Sequence, residues 1–140
     1  MNFNLINVNN LTRKQNIILR RMLQELERRC EETIKKHVDK LPDKKRMAVV
    51  FSMCFDESQK AISGLPFNQW PDDMPDLVRS SIKDDENILF EWISDKVILS
   101  LKEKYPNLVC GSSDNIKAFC MDAVVESAAA LNRLYELLSS

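Results

Sequence analysis

Apolar residues recur at every third or fourth place along the first third of the chain, at Leu19, Met22, Leu23, Leu26, Cys30 and Ile34, and His37 falls in the same line. At 100° per residue these positions share one face, so the pattern predicts an amphipathic helix. Thr12 followed by Gln15 is a capping-box pair, in which hydroxyl and amide each satisfy an orphan backbone N–H. The predicted helix covers 12–38 and is roughly 39 Å long. Leu41-Pro42 ends it, because a residue before proline avoids the α region. Pro42 then suits the first turn of a second helix over 43–63. That segment holds Met47, Ala48, Val49, Val50, Phe51, Met53, Cys54 and Phe55. It is apolar on most sides, and its length favours a helix over a buried strand.

Residues 64–76 carry three prolines, which forbid a continuous helix and make this a long connection. A short helix is expected over 76–82. The next, over 85–105, opens on acids that complement its N-terminal dipole. It is apolar nearly all round, with a narrow polar stripe of Glu91, Asp95 and Lys102, and that predicts a central helix. Pro106 stops it, and 107–112 read as a loop. The last helix, over 114–138, takes Ser113 or Asp114 as its cap. One broad face holds Ile116, Phe119, Cys120, Ala123, Val124, Ala130, Leu131, Leu134 and Leu138. A second strip of Met121, Val125 and Ala128 lies roughly opposite. Residues 1–10 set Phe3, Leu5, Ile6 and Val8 among asparagines and read as an extended arm packed on the bundle. The expected fold is all-α: one domain over 1–140, a bundle of about five helices with long first and last members.

Composition narrows the function classes. Only two glycines occur, which disfavours a turn-rich β sandwich and leaves no glycine-rich phosphate cradle. No stretch approaches the ~18 apolar residues that a membrane span needs. The first ten residues lack a basic region followed by an apolar run, so the chain is expected in the cytoplasm. The four cysteines, Cys30, Cys54, Cys110 and Cys120, form no C-x-x-C pair. Three of them fall on apolar helix faces, the expected place of reduced, buried thiols. The net charge of −1 is split along the chain. Residues 1–70 hold thirteen Lys and Arg against eight Asp and Glu; residues 71–140 hold seven against thirteen.

Reactive constellations are sparse. His37 is the only histidine and sits mid-face, where a core or interface role is expected rather than a general base. One histidine and four scattered cysteines lack the paired spacing of a structural zinc site. Glu91 and Asp95, four apart, resemble half of a carboxylate metal site, but no Glu-x-x-His accompanies them, so a solvated stripe is expected. The chain is therefore expected to be neither an enzyme nor a holder of a cofactor or metal.

Interaction surfaces remain. Phe67, Trp70 and Met74 in the proline-rich connection are candidate anchors for another protein, unless they fold back over one end of the bundle. Met121 and Val125 are a second candidate interface. Arg20, Arg21, Arg28, Lys35, Lys45 and Arg46 are candidates for an acidic protein or nucleic acid, although pairs such as Glu25 with Arg29 and Glu32 with Lys36 explain many cations as a solvated helix face. The expected role is a non-catalytic protein–protein contact of inhibitor, adaptor or regulatory type. Self-association is possible through the long first helix, whose length leaves apolar surface without obvious cover. Nucleic-acid binding through 13–46 is the competing class.

Overall fold

The computed structural model describes residue 3 and residues 10–41, 43–61, 74–81, 84–109 and 113–139. Among them the fold is an all-α bundle without strands. Helix α1 is Arg13–His37 and runs into a tight 3-10 turn, Val38–Lys40. Then follow α2 (Lys44–Ala61), α3 (Asp76–Ser81), α4 (Glu86–Lys104), α5 (Pro106–Val109) and α6 (Ser113–Ser139).

The capping box forms as the residues dictate. Thr12 Oγ1 accepts from Gln15 N at 3.1 Å, and Gln15 Oε1 accepts from Thr12 N at 2.9 Å. The same Gln15 donates through Nε2 to the Leu138 carbonyl at 3.2 Å, so the start of α1 is tied to the end of α6. At the other end, His37 Nε2 lies 2.6 Å from Asp122 Oδ2, and its ring stands edge-on to Phe119. The two helices therefore run antiparallel along almost their whole length. The apolar face of α1 from Met22 to Ile34 belongs to the core. It is covered within the chain, so the expectation of bare surface there for a second copy does not hold.

Helix α6 is the hub, packing against α1, α2 and α4. Ile116, Phe119, Cys120, Ala123 and Val124 are wholly buried along it. This corrects the expectation that the helix over 85–105 is the central one. Helix α4 buries Leu89, Ile93, Val97 and Leu101 but leaves Leu99 62% exposed. Its all-round apolar pattern misled because half-buried Trp92 and Ile98 ride at the edge of the core. The strip opposite the main face of α6 is corrected too. Ala128 is buried, so Met121, Val125 and Ala128 form no continuous outer surface.

The expected loop after Pro106 instead winds one turn, α5. The Tyr105 amide closes α4 by donating to the Leu101 carbonyl at 2.7 Å. Proline then opens the next turn at the position where its missing N–H costs nothing. Leu108 is buried under it. Helix α6 starts at Ser113, earlier than either predicted cap allows, so Ser113 and Asp114 lie in its first turn. Phe3 of the N-terminal arm is buried in the core. Its ring packs edge-on to Phe51 and Phe55 at 6.0 and 5.4 Å.

Cys30, Cys54 and Cys120 are buried free thiols. Burial pushes the Cys30 thiol up to about 11 and also raises Cys54, helped by its hydrogen bond with Cys120.

Two measurements test this packing. Phe119→Ala should lower stability to denaturant by about 3–5 kcal/mol, the usual cost of truncating a buried aromatic ring. Cys30 holds its proton more tightly in the fold than in the open chain. Its contribution is therefore complete below about pH 9 and lost as pH rises toward about 11. Cys30→Ala should flatten the alkaline fall in melting temperature over that window.

Candidate protein-docking cleft

Helices α2 and α4 run antiparallel, since Lys96 Nζ reaches Glu57 at 3.6 Å while Arg46 meets Tyr105. The first turn of α2 thus faces the end of α4. Asp43 shapes that turn. Its Oδ1 accepts from Lys45 N and its carbonyl from Met47 N, each at 2.9 Å. Met47 and Val50 turn into the core, which leaves Lys45, Arg46 and Val49 outward. The Arg46 guanidinium lies over the Tyr105 ring, 4.8 Å from its centre.

Two cavities meet at this stack. One, of about 460 Å³, extends past Lys104, Pro106 and Asn107. The other, of about 310 Å³, extends past Lys45, Val49 and Val50. Asp43, Arg46, Tyr105 and Leu108 line both, so the Arg46–Tyr105 stack is their common wall. Val49 is 44% exposed beside it. Among the described residues, no carboxylate pairs with the side chains of Lys45, Arg46 or Lys104. Among the described residues Asp43 is the one acid in the lining, and one of its oxygens is committed to the helix cap. A guanidinium steadied on a ring still presents N–H donors to a carboxylate, and less entropy is lost when one binds.

The other basic candidates are dispersed or consumed. Arg20, Arg21 and Lys35 are exposed on α1, outside the lining of the cleft. Arg28 is shared between Glu25 and Glu32. Its hydrogen bond holds the Glu25 carboxyl below the usual range. Glu25 also pairs with Arg29 at 3.4 Å, as the spacing suggested. Glu32 turns back to Arg28, whereas Lys36 was its expected partner. Arg29 crosses to Glu126 on α6. The sequence reading named Lys45 and Arg46 but missed Lys104, Tyr105 and Val49. The available signal was an aromatic ring directly before a helix-stopping proline.

The apolar candidates divide similarly. Met74 is buried, which agrees with folding back over the bundle. Phe67 and Trp70 lie outside the described residues. Met121 is half-buried, with its Sδ 3.3 Å from Ser94 Oγ, and Val125 is 43% exposed. Glu91 and Asp95 share an ammonium: Lys117 Nζ lies 3.0 Å from Glu91 and 3.4 Å from Asp95. The Glu91 hydrogen bond in turn raises the Lys117 pKa. Among the described residues no three His, Cys, Asp or Glu side chains gather as metal ligands. No described helix is long and apolar enough to cross a membrane. The chain matches no protein-family model, no curated protein and no solved structure.

The ring should act on Arg46 through its face. Tyr105→Phe is expected to be neutral. Tyr105→Ala combined with Arg46→Gln in a double-mutant cycle should give a coupling of about 0.5–1 kcal/mol in thermal denaturation.

Proposed function

We propose that the chain is a non-catalytic protein-interaction module of the cytoplasm, regulatory or adaptor in kind. It receives an acidic segment of a partner protein in the cleft between the start of α2 and the end of α4. The observation that carries this reading is the Arg46–Tyr105 stack, flanked by Lys45 and Lys104, which no described carboxylate pairs, and bordered by exposed Val49. The cations draw in the acidic segment and set its register. The apolar pocket beside them supplies area to bury, at about 25 cal/mol per Å² removed from water.

A protein fits better than nucleic acid for two reasons. The aliphatic wall of Val49, Val50 and Leu108 beside the cations suits an apolar side chain, which a phosphate backbone lacks. On α1, Arg28 and Arg29 are neutralised by Glu25 and Glu32 of the same helix and by Glu126 of α6, which interrupts the basic stripe.

A fluorescent peptide with a leucine flanked by glutamates should bind by anisotropy and weaken as salt rises. Lys45→Glu with Arg46→Glu should reduce that affinity at least about tenfold with an unchanged circular dichroism spectrum. If instead a labelled duplex binds while the peptide does not, and Arg20→Glu with Arg21→Glu abolishes it, the nucleic-acid reading replaces this one.

A further inference from the structure

The cleft asks for an aliphatic side chain set among carboxylates, and the chain itself displays one. Leu77 on α3 is 74% exposed, more than any other large apolar side chain described. Its neighbour Val78 is buried, so α3 anchors through Val78 and holds Leu77 outward. Asp76 precedes Leu77 on α3, and Asp84, Asp85 and Glu86 stand where the chain enters α4; all four are exposed, with one Asp85 oxygen accepting from Asn87 N at the α4 cap. Arg79, the cation of α3, is half-buried rather than presented. An exposed leucine on an acidic stretch of chain matches, in both polarity and charge, a pocket walled by Val49 and rimmed by Lys45, Arg46 and Lys104.

The two surfaces cannot meet within one molecule. Helix α3 leads into the start of α4, whereas Tyr105 follows its end. The nineteen residues of α4 hold those ends apart by about 28 Å. We infer that a second copy of this chain occupies the cleft, its Leu77 seated beside Val49 and its acids against Arg46, Lys45 and Lys104. This rests on the acidic-segment reading of the cleft and names the partner. The contact joins two different surfaces, so a pair keeps one free knob on one molecule and one free cleft on the other, and association is head-to-tail.

Light scattering or sedimentation over rising concentration tests it, with Arg46→Glu as the cleft-dead variant and Leu77→Glu as the knob-dead one. The unaltered chain should grow past twice its own mass. Each variant alone should associate at least about tenfold more weakly. An equal mixture of the two should recover a species of two chains and stop there, because one intact knob meets one intact cleft. Circular dichroism checks folding, and Arg46→Gln with Leu77→Ser is a milder pair at the same exposed positions. An unaltered chain that stays single at all concentrations overturns the inference, as do variants that associate undiminished or a mixture that stays single. In those cases the glutamate–leucine peptide separates the two readings. Binding of the peptide leaves the cleft an acidic-segment site for another protein, and failure removes both.

Discussion

Burial of one long helix on three of its sides governs how this chain folds. At twenty-seven residues, α6 runs about 40 Å, and α1, α2 and α4 all close on it. Ala123, Ser127 and Ala130 keep its inner surface small and let neighbouring backbones come near. Phe119, Leu131 and Leu134 fill the spaces between them. Polar contacts at the rim then fix register rather than supply most of the energy. Gln15 with Leu138, Arg29 with Glu126 and His37 with Asp122 mark three levels of the seam between α1 and α6. A one-turn slip between the helices would break all three together.

Most of this was legible because helical burial is periodic. The faces of α1 and α6 are local patterns, and Thr12 with Gln15 announced the first helix unaided. Which helix sits in the middle was not legible. Helix α4 spreads its apolar residues round more of its sides, yet α6 is central, because centrality depends on how many neighbours close on a helix. Tertiary company also decided the charges. The partner of Glu32 is chosen by side-chain reach on one helix, but that of Glu126 lies ninety-seven residues away. The cleft was half visible. Lys45 and Arg46 stood out as cations, while Tyr105 and Lys104 joined them only through the antiparallel return of α4.

The split of charge along the chain has a structural outcome. Part of the positive first half is neutralised where α1 lies against α6, and Lys117 does the same for Glu91 and Asp95. Among the described residues, cations that no described carboxylate pairs line the α2–α4 junction, and exposed acids lie on α3 and at the start of α4. Helix ends are where the bundle packs least tightly and where backbone reverses, so they are also where cavities open. Electrostatic and steric features of the cleft thus share one origin in chain topology.

The burial of Cys30, Cys54 and Cys120 also bears on how long a molecule survives. Inside the bundle all three sulfurs are shielded from peroxide or oxygen, and burial holds the Cys30 and Cys54 thiols protonated. Once α6 is released that shielding is lost and the sulfurs become open to oxidation. A sulfinic group formed then is polar and charged, and the core that closed around a thiol no longer accepts it. Each opening in an oxidising medium is therefore a chance of permanent loss. Molecular lifetime follows the frequency of opening, not the equilibrium share of open chains.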